Sequence, residues 1–314
     1  MLHTTFHATA VFFDHLEDVQ WRWVAFAVAC QICKLLVASR AWRNIVKAAY
    51  RSVRVPYFQL FGAYVAGTGV NALLPARGGD VVKLFIAKRC VAGSTYTTLV
   101  ATILLQTLFD MLVAGAFVVW ASTLGVLPGI HALPHLPSLD YGWALHNPKA
   151  GLALFVVLLL VGGLLLAWLV ERVEHFADRV AQGFSALRDP GYYGAHVLPW
   201  QVLDWSLRLT TVFFFLRAFG IPATLHNTLL VQVSLSLATI FPFSPSGIGT
   251  QQALLLYIFR GVTSRSAALS FSVGMRVILI VVNTVLGFAA ILIMLRTFRF
   301  RRVVDADRAE PKET

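Results

Sequence analysis

An all-α, polytopic membrane protein is the fold class this sequence predicts, and three observations predict it. Of 314 residues, 58% are hydrophobic and only 13% charged, with a mean hydropathy of +0.72, a balance foreign to ordinary soluble domains of this length. The apolar residues fall in runs long enough to cross a bilayer as helices. Two further apolar stretches are broken by proline and glycine, at Leu74-Pro-Ala-Arg-Gly-Gly-Asp80 and Phe241-Pro-Phe-Ser-Pro-Ser-Gly-Ile-Gly-Thr-Gln-Gln252. Lipid tolerates broken backbone only where protein or a wet cavity covers it.

Taken in order, the chain reads as one integral membrane domain over 1–314. Its first residues hold no Lys or Arg and are interrupted by Asp14, Glu17 and Asp18, so they lack the pattern of a cleavable signal. Full spans are expected at 21–42, 96–127, 151–170, 198–219 and 267–295. The broken stretches, 57–89 and 225–260, read as re-entrant hairpins, each with a short helix after its elbow. Between 171 and 189, Val173, Phe176, Val180, Phe184 and Leu187 recur at helical spacing among Arg172, Arg179 and Arg188. That pattern predicts an amphipathic helix, lying in the cytoplasmic interface or packed on the bundle. A basic tail, 296–314, follows the last span.

Charge sets the expected topology. Arg40, Arg43, Lys47, Arg51 and Arg54 form a run without an acid, and Arg296, Arg299, Arg301 and Arg302 mark the tail, so both belong on the cytoplasmic side of a plasma-type membrane. Residues 126–148 contain no Lys or Arg and belong outside with the acidic N-terminus. The formal charge of +11 is therefore a topology signal and not the footprint of a nucleic-acid partner. The resulting order, span, hairpin, long span, connecting span (151–170), then span, hairpin, long span, predicts inverted repeats over 21–127 and 198–295. In such folds substrate sites form near the midplane where the repeats meet.

Chemistry is expected where polar residues reach that depth. Helices beginning at the elbows aim unsatisfied N–H groups and positive dipole ends inward, which suits an anion. The candidate binding residues are Arg77, Gly78, Gly79, Asp80 and Lys83 on the first elbow. On the second they are Ser244, Ser246, Gly247, Gly249, Thr250, Gln251 and Gln252. Arg77 pairing with Asp80 simply to brace the elbow is the competing reading. Asp110 and Arg276 occupy comparable places in the two long spans and are expected to pair as a switchable internal couple. Asp204 and Arg208, four apart, are expected to neutralise each other within one helix. Lys34 can snorkel to the cytoplasmic surface, and Gln31, Gln106 and Asn283 can join helices by hydrogen bonds.

Several classes drop out. Cys30, Cys33 and Cys90 form no disulfide framework, and the Cys30–Cys33 pair reads as packing within a span. His131 and His135 flank Pro134, which spoils helical ligand spacing, so no metal and no cofactor is expected. Nucleophile elbows, phosphate loops and dinucleotide fingerprints are missing from the sequence, and no enzymatic activity is expected.

Two stretches carry a family resemblance. Gly69-Val-Asn-Ala-Leu-Leu-Pro-Ala-Arg-Gly-Gly-Asp-Val-Val-Lys83 and Phe241-Pro-Phe-Ser-Pro-Ser-Gly-Ile-Gly-Thr-Gln-Gln-Ala253 resemble the paired motifs of the lysylphosphatidylglycerol synthase transmembrane-domain family, also described as flippase-like. The resemblance implies the membrane module, which moves or handles polar lipids, without the aminoacyl-transferase domain that some members carry. Where that family commonly places a glutamate after the second motif, this chain has Gln251 and Gln252. The function expected is a flippase or transporter of a polar or anionic membrane lipid, working by non-covalent alternating access. The alternatives are a non-transporting accessory protein that partners envelope-lipid or glycolipid biosynthetic enzymes, and an ion-coupled transporter of a small anion.

Overall fold

The computed structural model describes residues 19–74, 77–123, 174–240 and 250–309, and every regular element among them is a helix. In chain order these are α1 (Trp21–Ala49), α2 (Tyr57–Leu73), α3 (Gly78–Cys90), α4 (Tyr96–Thr123), α5 (Glu174–Gly183), α6 (Ser185–Arg188), α7 (Pro190–His196), α8 (Leu198–Ala218), α9 (Leu225–Ile240), α10 (Thr250–Ile258) and α11 (Arg265–Ala309). The expected connecting span 151–170, the loop 126–148 and the second elbow at 241–249 lie outside the described residues. So do His131, His135, Ser244, Ser246, Gly247 and Gly249.

Among the described residues three helices are long and apolar enough to cross a membrane, over Trp21–Ala49, Tyr96–Ala121 and Arg265–Met294. The expected span at 198–219 appears as the 21-residue α8, with Asp204, Arg208 and Arg217 inside it. Helix α1 is the central one: 44% of its most apolar window is buried, against 11% in each of the other two. Those two instead present large apolar side chains outward, Met111 and Leu112 on α4, Val285 and Leu292 on α11. Such stripes would be costly in water, and a bilayer solvates them.

The packing is reciprocal. Helices α1 and α8 lie antiparallel: the Gln20 N–H donates to the Ala218 carbonyl at one end (3.0 Å), and the Asn44 amide donates to the His196 carbonyl at the other (2.6 Å). Trp23 stacks on Phe214 between them, with centroids 5.7 Å apart. Helix α2 runs against α11, and α9 against α4, where Ala121, Leu230, Val233 and Ile258 form one core cluster. Helix α2, which precedes α3, thus packs on the long helix α11, and α9, which precedes α10, packs on the long helix α4.

The α2–α11 seam is set by glycine. A Cβ on Gly69 would stand 2.6 Å from the Gly287 Cα and 2.7 Å from the Asn283 carbonyl oxygen, so the two backbones touch. The Gln31 amide of α1 donates to the Asn283 side chain at 3.0 Å, tying a third helix to the seam as the glue expected of these residues.

The amphipathic stretch differs from expectation in shape. A single helix over 171–189 does not form, because Gly183 seats against the Thr98 carbonyl of α4 and the helix breaks at Phe184. Phe184 then packs against Ile45, Leu105, Ala186 and Val197, and the Gln182 amide donates to the Ala49 carbonyl (2.9 Å). The segment is therefore packed on the bundle. Helix α7 follows at once, with Pro190 in its first turn and Asp189 as its cap, accepting from the Tyr192 N–H at 3.0 Å.

Two outcomes follow from this packing. Gly287→Ala drives a methyl into the Gly69 backbone, which cannot yield as a side chain would; we expect a loss of about 1–3 kcal/mol, the range for overpacking. Thermal unfolding of the purified protein in detergent checks it, and an unchanged midpoint would count against the seam. At Asp189, the Tyr192 N–H and the Arg51 guanidinium hold the carboxyl below its ordinary value. The cap's contribution is present above the unfolded value of about 3.9 and is lost as pH falls through the lower folded one. Protease cleavage around α7 should rise on that acidification, and Asp189→Ala should show the rise already at neutral pH.

Candidate polar site at the first elbow

The first elbow is built by side chains reaching across it. Helix α2 ends at Leu73, and α3 starts after Arg77, whose φ of 58° and ψ of 31° place it in the left-handed region that non-glycine residues rarely adopt. Asn71, from the end of α2, satisfies the start of α3. Its side-chain oxygen accepts from the Gly79 N–H at 2.7 Å, and its amide donates to Asp80 at 3.2 Å. The other Asp80 oxygen meets the Arg77 Nε at 2.9 Å. Gly79 permits this because its backbone lies directly on that of α2: a Cβ there would collide with the Gly67 carbonyl and stand 2.7 Å from the Asn71 nitrogen.

One turn along α3, Lys83 is 6% exposed. Its ammonium sits 4.1 Å from the Trp42 ring centroid and 4.2 Å from that of Tyr64, and among the described residues no carboxylate lies in salt-bridge range of it. Beside it lies a cavity of about 130 Å³, room for several waters. Tyr64, Thr68 and Asn71 of α2, Asp80 and Lys83 of α3, and Gln106, Thr107 and Asp110 of α4 line it, with Arg77 at its rim, 65% exposed. The described residues that line it are all drawn from the first half of the chain. Gln251 is buried beside Arg276 and is not among the described residues that line this cavity; of the second elbow only the start of α10 at Thr250 is described, so the expectation of one site shared by both elbows falls mostly outside the described residues.

The expected pair of Asp110 with Arg276 is replaced by other partners. Asp110 accepts from the Trp205 indole at 2.9 Å and lies 3.9 Å from Arg208, while Arg276 donates to the Gln251 side chain at 3.1 Å. The reason is geometric: α4 packs chiefly on α5 and α9, and α11 chiefly on α2 and α10, so the two long helices face different neighbours. Asp204 and Arg208 do pair along α8, at 3.2 Å. Lys34 of α1 lies within Coulombic range of Asp110, Asp204 and Arg208, so it joins this cluster in place of the snorkelling expected.

The cavity brings Arg77, Asp80 and Lys83 of the first elbow together with Asp110, which sequence had set apart as a partner for Arg276, while Gly78 and Gly79 stand at the start of α3. Asn71, Trp42 and Trp205 were not singled out by sequence. Asn71 had a signal, because it stands inside the first motif between apolar residues, where an amide needs a partner. Trp42 and Trp205 had none, since their roles come from helices distant in sequence.

These features define a class: an all-helical integral membrane protein with a charged, hairpin-capped cavity inside an apolar bundle. Over residues 9–287 the chain matches the family described as the lysylphosphatidylglycerol synthase TM region, and it belongs to that family. No curated protein and no solved structure matches it.

Asn71→Ala leaves the Gly79 N–H and one Asp80 oxygen unpaired, which costs about 1–3 kcal/mol for a buried group. Thermal unfolding should show that loss, and Asn71→Asp should lose as much, because it sets two carboxylates against each other at Asp80. Equal stability of all three proteins would remove Asn71 as the brace of the elbow.

Proposed function

We propose that the protein moves a polar lipid carrying a phosphate headgroup across the cytoplasmic membrane, without a covalent step. The observation that carries this reading is the buried Lys83 beside the cavity. Burying an ammonium costs several kcal/mol after relaxation, and two ring contacts return about 0.5–2 kcal/mol each. Asp80 and Asp110 act only from a distance. A cation held at such a cost has its use in an anion that enters the cavity.

Charge balance favours a singly charged group. Around the cavity and the adjoining cluster stand Lys34, Arg77, Lys83 and Arg208 against Asp80, Asp110 and Asp204, one positive charge in excess. A phosphodiester headgroup restores neutrality there while its tails remain against the apolar outer faces of α4 and α11. The reciprocal packing of α2 on α11 and α9 on α4, around an antiparallel α1–α8 pair, supports the inverted-repeat reading. In that reading the second hairpin opens the site from the opposite side, the N-terminus is outside and the basic tail inside. Family membership supports lipid as the substrate class.

Reconstitution tests it. Vesicles holding the protein should move labelled phosphatidylglycerol or phosphatidylethanolamine between leaflets. Lys83→Met should slow that movement by about 10- to 100-fold, the loss of one charge-assisted contact of about 1.5–3 kcal/mol, with Lys83→Arg intermediate. No movement of either lipid, with or without an ion gradient, would overturn the reading.

A further inference from the structure

We propose that Asp110 is a proton-binding site, and that Arg208, shared between Asp110 and Asp204, transmits its charge state to the contact between α4 and α8. The inference rests on the lipid-movement reading only for what the proton is coupled to, not for the site itself.

The geometry is that of one guanidinium between two acids. The same Arg208 nitrogen lies 3.2 Å from Asp204 and 3.9 Å from Asp110, so the first contact is a hydrogen bond and the second is not. Asp110 is on the cavity side, with its side chain 36% exposed, whereas Asp204 lies behind it at 7%. A proton arriving through the cavity therefore meets Asp110 first. The cluster is also under-bonded: one Asp204 oxygen and the Arg208 Nε are buried without a hydrogen-bond partner among the described residues. An arrangement with spare donors and acceptors can re-pair without breaking a complete network.

The groups facing Asp110 come from every neighbouring helix. They are Lys34 of α1, Tyr64 of α2, Lys83 of α3, and Asp204 and Arg208 of α8. His226 of α9 sits far along α4 against Trp120, and α5 meets α4 at its opposite end, near Thr98 and Ala101. With Asp110 ionised, Lys34 and Arg208 balance the two carboxylates. A proton transferred from cavity water turns Asp110 into a neutral acid and leaves one cation uncompensated in a low-dielectric bundle, a cost of several kcal/mol. Arg208 then closes wholly on Asp204, and its hold across to α4 is released. Trp205 reports the event, because its indole N–H is bonded to the Asp110 oxygen that loses charge.

Two measurements on the full-length protein test this. In detergent, the fluorescence difference between wild type and Trp205→Phe should follow pH through a single transition. The transition should be absent in Asp110→Asn and should return, displaced, in Asp110→Glu. In phosphatidylcholine vesicles doped with labelled phosphatidylglycerol, a gradient of one pH unit should skew the leaflet distribution by up to about tenfold for wild type and Asp110→Glu, and not for Asp110→Asn. If Asp110→Asn fails to fold, the wild-type transition and its displacement in Asp110→Glu decide alone. A Trp205 signal insensitive to pH, or unchanged in Asp110→Asn, overturns the proton site. Lipid movement that ignores the gradient in wild type overturns the coupling and leaves transport standing. A titrating Trp205 in a protein that moves no lipid supports the proton site and sinks the transport reading.

Discussion

Everything at the site depends on one backbone contact, that of Gly79 on Gly67. A helix cannot begin inside an apolar bundle with bare N–H groups unless something replaces the water they lack. Here the two arms of the hairpin come so close that neither glycine could carry a side chain toward the other, and that closeness brings Asn71 within 2.7 Å of the Gly79 N–H. Asn71 and Asp80 then satisfy each other, Arg77 is held in its strained conformation, and Lys83 is carried one turn onward, between Trp42 and Tyr64. Widening the contact would undo the cap first and the position of Lys83 with it.

Electroneutrality governs the rest of the interior. The polar centre holds its charges in two unequal groups, an elbow pair between Arg77 and Asp80 and a cluster of Lys34, Asp110, Asp204 and Arg208. Lys83 stands between them with aromatic rings instead of a carboxylate, and it supplies the surplus charge. The arrangement explains why the cavity is polar inside a protein whose outer faces are apolar. By the same arithmetic, a bound anion or a proton would each change the charge of this interior by one.

The helices were largely legible in the sequence, for physical reasons. The break between α2 and α3 falls where the sequence places a proline after an apolar run, because proline cannot continue a helix cheaply, and α10 starts at Thr250 as expected. Asp204 and Arg208 pair because their spacing alone brings them together. What the sequence hid was long-range. Position along the two long spans pairs Asp110 with Arg276 on paper, but α4 and α11 face different neighbours. Lys83 is legible as a binding residue of the elbow, but only the packing of α1 across it shows that it is buried against Trp42. The break at Phe184 likewise depends on Gly183 meeting α4, a contact that no periodicity within 171–189 encodes.

The central claim is that Lys83 holds the anionic part of a lipid. Native mass spectrometry of the protein purified in mild detergent, wild type beside Lys83→Met, addresses it without any transport assay. The account predicts a phosphate-bearing lipid retained on the wild-type protein and stripped from the variant under equal activation. Equal retention by both proteins, or retention of neutral lipids alone, would contradict it.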